Sequence, residues 1–435
     1  MKTFRKGGIH PDGSKLTSEA AVAPIPMPAE LALPLSQAIG APSKPLVKAG
    51  DTVQRGQMIA EAGGFVGAPV HSPVTGTVRK LDRVHTPQGQ WQDAIIITPD
   101  AEAQDTSPAP LTAEEAEALT PAEIVKAVGD SGIVGLGGAT FPTRVKLSPP
   151  EGKVPDTIII NGAECEPYLT CDDQLMRTGA AEIISGTRLI MRSVSVSRAI
   201  VGIEENKPQA IAAMLQAAAQ YPDIEVVTLK KKYPQGGEKQ LIQALTGREV
   251  PAGGLPVDVG CIVDNVATAY AVHQAVIMRL PLTRRIVTVT GPSLQRPGNY
   301  LAPFGTPLSA LIEAAGGLPE DTGKVIAGGP MMGRAVSCLD APSTKGTSGI
   351  LVLPRDMSSR RAAGPCIRCG RCVDACPMGL EPYLLMLHAV HSRWDDARSH
   401  GVMNCIECGC CSYSCPSARP ILDHIKLAKM NLKKR

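Results

Sequence analysis

The spacing of apolar positions changes its rhythm several times along this chain. Residues 20–45 are rich in Pro and Ala and read as extended strand or loop. Short alternating segments follow: Leu46-Val47-Lys48-Ala49-Gly50-Asp51-Thr52-Val53, Gly56-Gln57-Met58-Ile59-Ala60 and Val70-His71-Ser72-Pro73-Val74-Thr75-Gly76-Thr77-Val78. Gly and Pro lie between them, a pattern that predicts hairpins. Residues 101–115 are acidic and rich in Pro and Ala, the composition of a linker. From about 118 to 285 the rhythm is that of an α/β region. Thr157-Ile158-Ile159-Ile160 and Arg198-Ala199-Ile200-Val201-Gly202-Ile203 are continuous apolar runs, as buried parallel strands require. Between them 177–193 has helical spacing, and 208–220 predicts another helix with Pro208 in its first turn. Strand patterns return over 285–355, around a helix at 307–315. A further helix is expected from about 381 to 398, and 426–435 form a basic tail. That tail is expected to be solvated, or to frame a helix touching a membrane surface or a partner.

The 435 residues allow three or four domains. With 43% hydrophobic and 20% charged residues the chain can bury several cores. A net charge of +3 and 3% aromatics give no grounds for a nucleic-acid partner. No apolar run approaches the ~18 residues that span a bilayer. The basic start, Met1 to Gly8, leads into no apolar segment of a secretory signal. The expected location is therefore the cytoplasm or the cytoplasmic face of a membrane. The 46–78 hairpins resemble a biotinyl- or lipoyl-type barrel-sandwich module. Their tip, Gly64-Phe65-Val66-Gly67, holds no lysine to carry a prosthetic group, so a structural role is expected. Residues 285–357 resemble an SLBB-type β-grasp module.

Eight of the 13 cysteines fall in a repeat. The first copy is Cys366, Cys369, Cys372, Cys376 and Pro377; the second is Cys405, Cys408, Cys411, Cys415 and Pro416. Three thiolates at this spacing wrap three corners of an iron–sulfur cube, and the cysteine before Pro ligates the other cluster in two-cluster ferredoxins. Cys366, Cys369, Cys372 and Cys415 are therefore assigned to one 4Fe–4S cluster, and Cys405, Cys408, Cys411 and Cys376 to the other. Zinc is the alternative, but its sites use two separated Cys-x2-Cys pairs. The gap between the copies leaves room for helices, so a helical two-cluster ferredoxin domain is expected. Cys410 has no place in the scheme and is expected to be packed.

An electron source for two clusters is sought in Gly135-Leu136-Gly137-Gly138-Ala139-Thr140-Phe141-Pro142-Thr143, with Lys146 beyond it. Glycines let backbone N–H groups approach a phosphate and a lysine adds charge. Asn161-Gly162-Ala163-Glu164-Cys165-Glu166-Pro167 follows an apolar strand, where α/β sheets bind ligands. Glu204-Glu205-Asn206-Lys207 follows the next strand, and Gly236-Gly237-Glu238-Lys239 and Val263-Asp264-Asn265-Val266-Ala267-Thr268 come later. Each piece alone reads equally well as a loop or a helix cap.

Together these segments resemble the flavoprotein (51-kDa) subunit family of respiratory complex I. Its glycine loop, its Asn-Ala-Asp-Glu-x-Glu-Pro run and its Asn-Asn-Val-Glu-Thr run match the loop at 135, the run 161–167 and the run 263–268. A closer resemblance, over nearly the whole chain, is to the C-subunit family of the Rnf electron-transport complexes. It rests on the Phe4-x-x-Gly-Gly-Ile-His-Pro opening, the run from Asn161 through Tyr168-Leu169-Thr170-Cys171 to Asp172-Asp173, Tyr233-Pro-x-Gly-Gly-Glu-Lys-Gln-Leu, and the double cysteine motif. The resemblance implies noncovalent FMN near Gly135, Gly137, Gly138, Lys146, Asn161, Glu164, Glu204, Glu205, Asn265 and Thr268. It implies NAD(H) stacked on that flavin, with Phe141 and Glu166 nearby. Leu136, Ala163 and Lys239 depart from the complex I pattern and bear on the nicotinamide contacts.

The expected architecture is a multidomain α/β plus β chain. A barrel-sandwich hybrid and linker occupy 1–115, a Rossmann-like FMN domain 116–284, an SLBB β-grasp module 285–357, and the ferredoxin domain with its tail 358–435. The resemblance implies a peripheral subunit on the cytoplasmic face of the inner membrane. Its partners are the other membrane and peripheral subunits, NAD(H), and ferredoxin reached indirectly. Hydride exchange between NAD(H) and FMN would feed single electrons to the clusters. A soluble corrinoid reductase and a non-enzymatic Fe–S adaptor are the alternatives.

Overall fold

The computed structural model describes residues 1–103 and 107–433. The α/β region holds a four-stranded parallel sheet in the order Ile224–Leu229, Ala199–Glu204, Thr157–Gly162, Cys261–Asn265. Ala199–Glu204 is buried along its whole length, which is why its sequence shows no alternation. Helices Ala180–Ser193 and Val266–Val276 pack on one face. Their close approach needs Gly186, where a Cβ would lie 1.8 Å from the Ala269 carbonyl oxygen. The helix expected over 177–193 is broken at Gly179 into Cys171–Thr178 and Ala180–Ser193.

The N-terminal region forms two small sheets. One runs Leu31–Pro34, Trp91–Pro99, Gly76–His85, Thr52–Val53; the other Lys44–Pro45, Met58–Glu61, Val70–His71. All their pairings are antiparallel. The sequence before these sheets belongs elsewhere. Phe4 is buried with Ile159, Ile200 and Leu229 in the α/β core, and Val22–Pro24 pairs in parallel with Gly298–Pro303. That strand is the edge of a six-stranded sheet completed by Arg284–Thr290, Gly349–Pro354, Thr322–Ala327 and Arg334–Ala335. Of the expected linker, residues 104–106 lie outside the described residues. Its end begins a helix, Ala113–Ala118, with a capping box between Thr112 and Glu115.

The C-terminal domain is helical. The single helix expected over 381–398 is two, Pro382–Val390 and Trp394–Ser399, separated by a turn with Ser392 in the left-handed region. The basic tail is the helix Ile421–Lys433, whose inner face (Ile421, Ile425, Ala428, Leu432) packs with Leu385, Met386 and Ala389. Residues 434–435 lie outside the described residues.

Three regions meet at Lys345. It is 1% exposed, and its Nζ donates to the carbonyls of Pro69 at 2.7 Å and Gly132 at 2.8 Å. Burial pushes its ammonium down to about 7. Between about 7 and the ordinary lysine value of 10.5 the unfolded chain holds a proton that the folded chain lacks. Stability from this group therefore rises with pH across that window. Lys345→Met should flatten the rise and lower the unfolding midpoint, each unpaired carbonyl costing about 1–3 kcal/mol. Thermal unfolding of both proteins from pH 7 upward checks this.

Candidate functional site

The parallel strands end together at Asn161, Glu204 and Asn265, and Asn265 pairs in register with Asn161. Asn265 is the N-cap of Val266–Val276, its Oδ1 accepting from the Ala267 N–H at 2.8 Å. Its Nδ2 donates to Asp172 Oδ2 at 2.7 Å and to the Asn161 carbonyl at 3.3 Å. Asn161 donates from Nδ2 to the Gly236 carbonyl at 2.8 Å and accepts at Oδ1 from the Ala163 N–H at 3.1 Å. The two asparagines thus tie the strand ends to the glycine loop at 236.

The first glycine loop lies over this edge. It is closed by the Gly135 N–H on the Phe141 carbonyl, 2.8 Å, and the Thr140 N–H on the Gly135 carbonyl, 3.1 Å. Thr268 is fully buried and holds the loop from behind, accepting from the Leu136 N–H at 2.9 Å. Arg285 donates to the Leu136 carbonyl at 3.1 Å. Gly137 and Gly138 are exposed and Phe141 is half-buried. A Cβ on Gly137 would sit 3.4 Å from the Asn265 side chain, and Gly138 has φ +118°. The loop therefore leaves a shelf that side chains would fill or strain.

Lys146 stands against the strand that ends at Asn265. Its Nζ donates to the Val263 carbonyl at 2.6 Å and to Asp264 Oδ1 at 3.3 Å. An ammonium has three N–H groups, so one remains unspent. Burial opposes the Lys146 charge, but Asp264 and Glu238 outweigh it and raise its pKa. Asp264 is buried, its carboxyl pushed up by burial and held down by Lys146, and its Oδ2 has no partner. Open backbone and a spare lysine donor suit a phosphate group, which a flavin mononucleotide carries.

The acidic residues read from the sequence differ in burial: Glu204 is buried, Glu164 and Glu166 are half-buried, and Glu205 is exposed. Glu164 has φ 45°, a strained value for a side chain of its size, and accepts from the N–H groups of Asp172 at 2.7 Å and Asp173 at 3.3 Å. Burial first, then Glu164, pushes the Asp172 carboxyl up to about 6. Glu166 accepts from Met331 and Met332 N–H groups at 3.0 and 2.7 Å, tying the site loop to the β-grasp region. Glu204 is buried 3.7 Å from the Lys207 ammonium. Glu205 is exposed and accepts from the Lys231 N–H at 2.9 Å. Lys15 organises the whole loop: its Nζ donates to the carbonyls of Glu164, Glu166 and Leu169 at 2.9, 3.0 and 2.5 Å. No spacing could have found Lys15, because it arrives from a segment some 150 residues away.

The cysteine repeat folds into two nests with the same backbone. Arg368 and Glu407, at equivalent positions, both have left-handed φ, as do Gly370 and Gly409. Cys376 lines one small cavity with Cys405, Cys408, Cys410 and Cys411. Cys372 and Cys415 both pack against the apolar core of this domain, and burial pushes the Cys372 thiol up. Cys376 beside the cysteines of the second copy is a neighbour that a crossed sharing of two cubes would use. In the nest of the second repeat Cys376, Cys408 and Cys411 are buried; in the other, Cys366 and Cys369 are exposed. The buried nest adjoins the site loops, since Cys408, Cys410, Ala375 and Tyr233 form one packed cluster with Cys165 and Met331. Cys410 is fully buried there.

Comparison with known proteins decides the family. The chain is 43% identical over 98% of its length, and 96% of the relative's, to the C subunit of the Na(+)-translocating ferredoxin:NAD(+) oxidoreductase complex of Acetobacterium woodii. It belongs to the C-subunit family of the ion-translocating oxidoreductase complexes. The proton-translocating counterpart from Clostridium ljungdahlii is 44% identical, over 92% of this chain and 87% of that one. The C subunit of the Rhodobacter capsulatus ion-translocating oxidoreductase complex is 43% identical over 99% and 83%. Along this member of the family, residues 2–102 match the RnfC barrel sandwich hybrid domain, 128–274 the Nuo51 FMN-binding domain, 286–335 the SLBB domain and 359–416 the 4Fe-4S dicluster domain. The expected fold class holds, and its cofactors are FMN and two 4Fe–4S clusters. A chain of an NAD+-reducing [NiFe]-hydrogenase in the H2-reduced state shares the fold. That match has 20% identity and a TM-score of 0.50 over 76% of this chain and 67% of the other.

Proposed function

We propose that this chain is the NAD(H)-linked flavoprotein subunit of a membrane-bound ferredoxin:NAD(+) oxidoreductase complex coupled to ion translocation. Bound flavin exchanges electron pairs for single electrons, and the clusters carry electrons singly. The chain's own residues provide position. The shelf at Gly137 and Gly138, Lys146 and the 161–167 loop hold the flavin, and Phe141 and Glu166 are the residues we assign to the nicotinamide. One observation carries the reading: the 161–167 loop and the buried nest share a packed cluster around Cys165, Tyr233 and Cys408. The buried nest is then the one fed from the flavin side. The exposed nest, with Arg368 and Arg371 exposed between its cysteines, is the one turned to a partner subunit. Membership in the C-subunit family favours this over the corrinoid-reductase and adaptor readings.

Partners are the other membrane and peripheral subunits, with ferredoxin reached through them. We place the chain peripherally on the cytoplasmic face. Among the described residues no helix is long and apolar enough to cross a membrane. The division at 115, 284 and 357 is part of the same reading and is supported by the family matches, with the first 25 residues serving the other regions. FMN titrated into the cluster-loaded chain should lose its fluorescence with saturation at one flavin per chain. Unchanged FMN fluorescence at every protein concentration would reject the flavoprotein reading.

A further inference from the structure

The contact between the site loops and the buried nest is built around Tyr233. The side chain is 1% exposed. Its backbone exchanges two hydrogen bonds with Ile9, each 2.9 Å. The ring packs with Cys165, Ala375 and Met331, and its hydroxyl donates to the Cys408 carbonyl at 2.9 Å. Three residues on, the Gly236 N–H donates to Cys165 Sγ at 3.4 Å and the Gly236 carbonyl accepts from Asn161. The segment 233–236 therefore touches Asn161 at one end and a cluster cysteine at the other.

The two nests differ at this point. Cys369 occupies in the first copy the place of Cys408 in the second, and it is exposed. Among the described residues no side-chain hydroxyl donates to the Cys369 carbonyl. Identical motifs thus receive different surroundings. We propose that Tyr233 is a positioning residue that fixes the buried nest against the flavin loops. Through its hydroxyl on the Cys408 carbonyl it raises the reduction potential of that cluster relative to a nest without the bond. The positive end of an O–H dipole aimed at a ligand cysteine's peptide favours the state carrying the extra electron. Hydrogen bonding and exposure are the levers that set cluster potentials. The low dielectric of a buried seam strengthens that dipole.

The inference rests on the flavin and cluster reading above, and the test separates the two. The full chain, loaded with both clusters and FMN, is titrated with dithionite and followed by electron paramagnetic resonance, without NADH. If the unsubstituted chain takes up no clusters, the earlier reading fails. If it does, Tyr233→Phe should keep its iron and flavin while one cluster potential moves down and the other stays. Fluorotyrosine at 233, a stronger donor of the same shape, should move the same cluster up. Cys376→Ala identifies which signal belongs to the buried nest. Two unmoved potentials, equal shifts of both, or iron loss in the Phe protein without an upward shift in the fluorotyrosine protein would each overturn the proposal.

Discussion

Cys376→Ala should empty the nest built by the second repeat, although Cys376 belongs to the first. Cys376 lines one cavity with Cys405, Cys408, Cys410 and Cys411, all four from the second repeat. The substituted chain should lose half its iron, four atoms of the eight that two 4Fe–4S clusters hold. Pairing tells crossed from uncrossed ligation. Cys376→Ala with Cys405→Ala should lose no more iron than either alone, because both empty the same nest. Cys376→Ala with Cys366→Ala should lose all of it. Effects on one unit are non-additive and effects on separate units add. Iron analysis of the four proteins decides; the reverse pattern would mean that each repeat keeps its own cluster.

The second large effect is expected at Lys146. Its partner Asp264 is buried, so Lys146→Ala leaves a carboxylate without compensation. Breaking a buried pair in this way costs about 3–5 kcal/mol. Lys146→Met with Asp264→Asn removes both charges and should restore most of that stability. Flavin affinity should not return with it. Loss of a charge-assisted bond of about 1.5–3 kcal/mol weakens binding roughly ten- to hundredfold. Cluster iron should be unchanged throughout. Denaturation midpoints and FMN titration read the two effects separately, and full recovery of affinity in the double variant would make Lys146 a purely structural residue.

What the sequence made legible follows from how each feature is encoded. The cluster ligands were readable because cube geometry imposes a fixed local spacing, and the glycine loop because only glycine leaves backbone open there. The strands Thr157–Gly162 and Ala199–Glu204 were readable because burial on both faces leaves continuous apolar runs. Lys15 was not readable, since its hydrogen-bond partners are backbone carbonyls, which have no side-chain identity to match. Thr268 and Asn265 were read as ligand contacts, and the structure gives each a supporting hydrogen bond to the loop or strand end. The break at Gly179 and the turn at 391–393 were missed because the apolar spacing continues across both. The basic tail hid a packed helix: Lys429 pairs with Glu407 at 2.6 Å and donates to the Cys405 carbonyl at 2.7 Å.

The proposed electron path joins a flavin shelf to a buried cysteine nest through one packed seam. Its most direct test is NADH added anaerobically to the cluster-loaded chain, with and without FMN, while cluster absorbance is recorded. Bleaching that appears only with FMN bound is the predicted result. Clusters that stay oxidised with FMN bound, or that bleach equally without it, would contradict it.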